Sequence, residues 1–578
     1  MPHANPAPRA RQAAPADPAE RLATALAELK AGAILPILAA ALEALNVGRA
    51  RDGARLALQV VGADPTCGMA WHVVALCHER AGDLNGALAA YEKAVALDPE
   101  DLDLANDLGR LAMQIGDLKS AEGLFRHYVA MRPDHADGHN NLGCALRDQM
   151  RYGDALAVLR PAIQAEPTNA LLWNTLATVV AEQGDVDHSM VFFDEALRLD
   201  PAFAKARYNR ANVRLTLGDP DGALEDCEAA LQDAALPEPE LAMMRFARST
   251  MLLASGRLAE GWDAYEARLD PRHVDVTHFA VPGEPWTPQT PLAGRRLLVV
   301  GEQGLGDEVL FANVLGDVVE AVGPEGRLTI AVERRLVPLF QRSFPSATVG
   351  PHATYRIEHQ SVRAAPCARQ GQGAGPEVWA PMASLLRRFR PRVERFPATP
   401  AFLRADPERV AHWRAALDAL GPGPKVGLVW KSLKINSQRA RFFSPFDALA
   451  PVLAIAGVRF VNLQYGDCEA ELDKARAAGV DIWSAPGLDL KDDLDELAAL
   501  ASALDLAIGP ANASLNIAAA CGTPAWFVST PGAWPLLGSD AYPWYPRARV
   551  FRPQGFNAWD AVMAEVAGAL RQLVAATA

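Results

Sequence analysis

Long apolar runs, a surplus of basic charge and paired cysteines are all missing from this chain. No run of roughly eighteen apolar residues occurs, so no membrane-spanning helix is expected. The nearest approach, Ala31 to Leu42, is broken by Gly32 and Pro36 and lies too far in for a signal peptide. Lys and Arg number 56 against 69 Asp and Glu, a net charge of −13 that leaves no field to steer a nucleic-acid backbone. The cysteines (Cys67, Cys77, Cys144, Cys227, Cys367, Cys468, Cys521) are scattered and never in CxxC spacing. They read as reduced, buried thiols of a cytoplasmic protein, with neither a disulfide framework nor a zinc site. No HExxH, DxD or Ser/His/Asp ordering stands out as a site, so neither a metal nor a cofactor is expected.

At 578 residues the chain is too long for one core. Residues 1–20 are rich in Pro and Ala with hardly a bulky apolar side chain, and are expected to be a disordered lead-in. From 21 to 271 one period dominates. Pro65, Pro99, Pro133, Pro167 and Pro201 follow one another at 34 residues, and Pro237 and Pro271 continue the series after one step of 36. Gly82, Gly116, Gly184 and Gly218 keep the same phase, as do Ala87, Ala121, Ala155 and Ala223. A 34-residue period with these small residues and a closing proline is the tetratricopeptide pattern, an all-α solenoid of helix-turn-helix units with a concave binding groove. Six full units are visible after a degenerate one, the best copy running from Ala70 to Pro99.

Asn106, Asn140 and Asn174 are again 34 apart, on the first helix of three units and away from the face that carries Leu108, Leu142 and Leu176. Asparagine is a mediocre helix former, and its amide offers donor and acceptor together, which suits gripping an extended peptide backbone without reading its sequence. A solvated face that tolerates Asn is the alternative. The column resembles the asparagine ladder in the repeats of the O-GlcNAc transferase.

Residues 272–293, rich in Pro and Thr, read as a connector wrapped on the surface. Strand and helix patterns then alternate through 294–423, and start afresh through 424–578 after Pro422-Gly423-Pro424. This predicts two parallel, Rossmann-like sheets facing a cleft, with ligands at the carboxyl ends of the strands.

Leu297 to Phe311 joins a strand to a glycine loop and a helix start. Gly301, Gly304 and Gly306 would let the backbone turn sharply, with Gly304 and Gly306 on the acceptor side, and Asp307 sits at the mouth. A carboxylate there can take a proton from an incoming hydroxyl, or it can simply cap the helix. The loop spacing is GxxGxG, not the dinucleotide GxGxxG, although Glu333 at the end of the next strand could hold a ribose. In the second sheet, Asn512, Ser514 and Asn516 open a small-residue helix able to bind a donor phosphate. Lys431, Lys434, Arg439 and Arg441 could neutralise a departing nucleotide or form a solvated basic loop.

GLGDEVLF, VWAPMASLL, VGLVW, FVNLQYGD, LDLAIGPANASLNIAAACGTPAWF and PWYPRARVFR, in this order behind repeats, resemble the bacterial tetratricopeptide glycosyltransferases. Their catalytic half is similar to the heptosyltransferases and the O-GlcNAc transferase. The subgroup most resembled is the alphaproteobacterial flagellin glycosyltransferases. The resemblance implies a GT-B fold and a metal-independent, inverting protein O-glycosyltransferase. In it Asp307 is the base, the donor is a nucleotide sugar such as CMP-pseudaminic acid, and the repeats hold flagellin as acceptor. Ala511-Asn512 and Asn516 stand where relatives commonly carry Asp-Thr and His, which points to another donor or an inactive copy. The other readings are a non-catalytic repeat adaptor with a decayed transferase half, and a heptosyltransferase-like enzyme acting on a small-molecule or lipopolysaccharide acceptor.

Overall fold

The computed structural model describes residues 18–233, 236–273, 276–357, 360–369, 375–432, 443–553, 555 and 558–577, with side chains from 32 to 576. The chain divides into two compact units, residues 1–167 and 168–578. Residues 1–17 of the expected lead-in lie outside the described residues, and residues 18–20 open a helix, Pro18–Asn46.

In the first unit helices pair antiparallel, as the 34-residue period requires, and one device recurs at the turns. Gly82 and Gly116 take left-handed conformations (φ 80° and 85°), and Asp83 and Asp117 then cap the second helix by accepting the N–H of Gly86 and Ser120. The left-handed position favours glycine because it has no Cβ. The phase-locked alanines Ala87, Ala121 and Ala155 are fully buried, which lets the paired helices close on each other. The next repeat breaks the device: Met150 takes φ 60° where glycine stands elsewhere, and Arg151 gives no side-chain cap. Met150 is 49% exposed, so it gains little from packing in return.

The second unit begins with three further helix pairs, Ala170–Gln183 to Leu258–Tyr265. The last repeat helix ends at Tyr265, close to the expected boundary at 271, but the last pair shares a core with the α/β region instead of standing apart from it. Trp262 meets Trp534 and Trp544 edge-on at 6.3 and 6.1 Å, and its indole N–H donates to the carbonyl of Arg390. Gly532 lies so close to the backbone of Leu215 that a Cβ there would sit 1.6 Å from its carbonyl oxygen.

The connector is corrected, because it is built into the sheets. It carries β1 (Thr277–Ala280) and β2 (Glu284–Pro285), and buries Trp286 and Leu292. Then come β3 (Arg296–Val300), β4 (Arg327–Val332), β5 (Thr348–Pro351), β6 (Ala353–Ile357), β7 (Gln360–Ala364) and β8 (Val378–Pro381). A five-stranded parallel sheet has the order β2-β8-β3-β4-β5, and a small mixed sheet the order β1-β7-β6.

After Pro424 the chain restarts as expected, with β9 (Lys425–Leu428), β10 (Arg459–Asn462), β11 (Ile482–Trp483), β12 (Leu506–Gly509), β13 (Ala525–Val528) and β14 (Ala548–Phe551). All six are parallel in the order β11-β10-β9-β12-β13-β14, the doubly wound arrangement. Strands buried on both faces read as unbroken apolar runs, which is why VGLVW and AWFVS were visible in the sequence. Among the described residues no helix is long and apolar enough to cross a membrane.

The Met150 turn makes a prediction. Met150→Gly should stabilise the repeats by about 1 kcal/mol through relief of the left-handed backbone. Urea denaturation reads this directly, and a lowered midpoint would show that the methionine side chain contributes more than the strain costs.

Candidate functional site

In a doubly wound sheet the crevice opens where strand order reverses, at the carboxyl ends of the strands. Here those points are β3/β8 in the first sheet and β9/β12 in the second. Loops leaving β3, β9, β10 and β12 meet around a cleft of about 640 Å³. Its lining includes Gly304, Gly306, Asp307 and Arg335 from the first half and Tyr465, Lys491, Asn512 and Ser514 from the second.

The loop after β3 is turned by an unexpected residue. Gly301, Gly304 and Gly306 were expected to supply the sharp turn, but none has a positive φ; Gln303 does, at 59°. The glycines serve close approach instead. A Cβ on Gly301 would sit 2.5 Å from the carboxyl carbon of Glu308, and Gly306 faces Ala513 and Asn516 across the cleft.

Two buried carboxylates hold the loop's ends. Glu302, 2% exposed, accepts from Arg268 Nε and Nη2 at 2.6 and 2.9 Å and from the N–H of Ala383 at 2.7 Å. Burial alone would lower the pKa of Arg268, but Glu302 and Glu266 reverse this and hold it above its usual value, so the guanidinium stays charged. Glu308, equally buried, accepts the N–H of Glu333 at 2.8 Å and pairs with His352 Nε2 at 2.8 Å. Arg363 donates at 2.7 Å to the carbonyl of Gly301. Neither Glu302 nor Glu308 was singled out in the sequence, although both flank the glycines in GEQGLGDE. A charged residue inside a glycine loop was the available signal.

Asp307 stands in the cleft between these anchors. Its Oδ2 accepts the N–H of Gly304 at 3.1 Å, so it is at once a capping acid and a cleft carboxylate, and the two readings are compatible. Burial raises the Tyr542 hydroxyl pKa and the Asp307 charge adds to it, so this phenol remains protonated.

Across the cleft Asn512 caps the helix Ala513–Ala520, its Oδ1 accepting from Leu515 at 3.1 Å. Ser514 is 1% exposed and lines the cleft, and its hydroxyl has no partner among the described residues. Asn516 also lines the cleft, but its Oδ1 is taken by the hydroxyl of Tyr545 at 3.1 Å. Lys431 is not among the cleft-lining residues, and its ammonium pairs with Glu471. Lys434, Arg439 and Arg441 lie outside the described residues. The cleft's described cations are therefore Arg335 and Lys491, which sequence reading missed. Arg335 is fixed by donating to Glu333 and to the carbonyl of Lys491.

The asparagine column serves the solenoid as well. Asn141 donates to Asn106 at 3.0 Å and Asn140 to Asn141 at 3.0 Å, while in the second unit Asn209 donates to Asn174 at 2.9 Å. His72 and Asp107 make the same link, 2.9 Å apart. Asn174, expected to face away from the core, is 8% exposed. These three links join first helices within one compact unit at an offset of 35 residues, one more than the period. Polar pairs at that offset were the signal.

Removing one partner of a buried ion pair leaves the other uncompensated. Glu302→Gln should therefore cost about 3–5 kcal/mol, and Arg268→Met/Glu302→Met less than that single change. Denaturant midpoints test this, and a single variant as stable as wild type would contradict it.

Comparison with known proteins places the repeats and then the whole chain. The tetratricopeptide repeat profile matches residues 38–102, 192–239 and 208–273, and the middle tetratricopeptide-like domain of cilia and flagella-associated protein 70 matches residues 71–200. Among solved structures, a thermophilic tetratricopeptide protein of Thermus thermophilus is 25% identical with a TM-score of 0.30, covering 32% of this chain and all of its own. A tetratricopeptide repeat protein of Parabacteroides merdae is 15% identical with a TM-score of 0.35, covering 40% of this chain and 92% of its own. Protein FlbA of Caulobacter vibrioides is 48% identical over 563 residues, 97% of this chain and 94% of FlbA. An alignment of that identity and length leaves one conclusion: the chain is a tetratricopeptide repeat protein that belongs to the FlbA family.

Proposed function

We propose that the chain is a GT-B protein O-glycosyltransferase that moves a sugar from a nucleotide donor to a Ser or Thr of an acceptor protein held by the repeats. The observation that carries the reading is the pairing across one cleft of Asp307, from the first sheet, with the unpartnered Ser514 hydroxyl at a helix start of the second. The helix start binds the donor's phosphate through backbone N–H groups and Ser514. Lys491 and Arg335 supply positive charge at the same cleft. Asp307 takes the proton of the acceptor hydroxyl as its oxygen attacks the anomeric carbon. The bond from that carbon to the phosphate oxygen breaks, and the nucleotide leaves with the electron pair. Attack from the face opposite the leaving group inverts the anomeric centre. The resemblance to flagellin glycosyltransferases supports flagellin as acceptor and a CMP-linked nonulosonic acid, such as pseudaminic acid, as donor.

Two contacts favour a second reading, a non-catalytic repeat adaptor. The Lys431 ammonium, expected at the nucleotide, is paired with Glu471, and Asn516 is occupied by Tyr545.

Two measurements separate the readings. A CMP, UDP or GDP compound should raise the melting temperature without added magnesium; no shift with any of them at millimolar concentration favours the adaptor. With flagellin and a matching nucleotide sugar, intact mass should show sugar added. Asp307→Asn should cut the rate by about 10²- to 10⁴-fold with donor binding little changed, and unaltered transfer would remove Asp307 from the role of base.

A further inference from the structure

Gln303 is a puzzle that the transfer mechanism leaves unused. Among the described residues only Met150, Gln303 and Leu537 combine a side chain with a positive φ. Backbone geometry at such a position favours glycine, so a glutamine there needs a reason in its amide. The reason lies in the last repeat: the Tyr265 hydroxyl donates to Gln303 Oε1 at 3.1 Å.

Tyr265 is held rigidly. Its ring packs against Phe246 at 5.4 Å, Trp262 at 5.8 Å and Phe311 at 6.2 Å, and the Arg268 guanidinium lies 4.8 Å over its face. Its hydroxyl stays protonated because burial raises its pKa and Asp307 adds to this, with Arg268 opposing. The backbone angles of Gln303 aim the following N–H, that of Gly304, and this N–H is the one that Asp307 Oδ2 accepts. An unbroken series therefore runs from the Tyr265 hydroxyl through the Gln303 amide and backbone to the Gly304 N–H and the Asp307 carboxylate.

We propose that Tyr265, the last residue of the final repeat helix, is a positioning residue for Asp307, so that the repeats set the geometry of the transfer site as well as holding an acceptor. The proposal rests on the reading of Asp307 as the base.

The test uses the full chain and two readouts. Tyr265→Phe keeps the aromatic ring and removes only the hydroxyl. Asparagine enters the left-handed region more readily than glutamine, so Tyr265→Phe/Gln303→Asn should restore the loop without the hydrogen bond. In hydrogen exchange of the ligand-free protein, amides 303–308 should exchange about tenfold faster in Tyr265→Phe and recover in the double variant, with other segments unchanged. In transfer to flagellin, kcat should fall about 10- to 100-fold in Tyr265→Phe with the donor KM unchanged, and recover in the double variant. A loss of packing alone would not be rescued by a substitution at Gln303. Loop exchange in Tyr265→Phe equal to wild type overturns the proposal whatever the protein catalyses, as does a double variant no better than the single one. If the wild type transfers no sugar while loop exchange responds and recovers as stated, the transferase reading falls and the Tyr265–Gln303 link stands.

Discussion

The candidate site depends on the buried pairing of Glu302 with Arg268. A carboxylate taken out of water is tolerated only when its lone pairs are filled, and here two guanidinium nitrogens and the N–H of Ala383 fill them. Arg268 is filled in turn by Glu302, Glu266, Ser384 and the carbonyl of Tyr265. None of these groups can move without leaving another unpaired. Because Arg268 follows the last repeat helix and Glu302 follows β3, the pairing joins repeats and sheet at the foot of the glycine loop. The Glu308 contacts with Glu333 and His352 tie the loop's other end to the ends of β4 and β5. Asp307 lies between two points that cannot drift.

This joint lies within the second unit, residues 168–578, which holds the last repeats together with the sheets. The last helix pair, Glu238–Ala254 and Leu258–Tyr265, shares one hydrophobic cluster with the α/β region through Leu253, Leu258, Trp262 and Tyr265, packed with Phe311 and Trp544. The loop after β13 closes the contact from the other half, where Gly532 and Gly538 press against the backbone at Leu215 and Gly256 with no room for a side chain. A chain cut at 294 would lose β1 and β2 from their sheets as well as Trp262, Tyr265 and Arg268. The division of labour between repeats and sheets is therefore not a division of structure.

Parallel strands then do the rest of the placing. All strands of one sheet deliver their following loops to the same end, and each sheet has one crevice where its strand order reverses. The two crevices confront each other, so an acid from β3 and a helix start from β12 line one space although more than two hundred residues separate them.

Asp307, Asn512, Ser514 and Asn516 were legible as cleft residues because each sits at a fixed place in a local pattern: strand, glycine or small residue, helix start. The tetratricopeptide units were legible for the same reason, since a 34-residue period repeats turn and core positions that depend only on near neighbours. Partners were not legible. Lys431 was read as a cleft cation, but Glu471 lies within its reach; Asn516 was read as a ligand group, but Tyr545 occupies its acceptor. Asn106 and Asn174 bind the next repeat. By itself, then, the sequence determined where helices, strands and the glycine loop fall, because propensity, burial period and turn chemistry act over a few residues. Only the tertiary structure decided which polar groups are consumed by neighbours, which residue takes the left-handed turn and where the repeats end as a separate body. Those outcomes hinge on side chains that lie far apart in the chain and meet only when the sheets and the last repeat pack together.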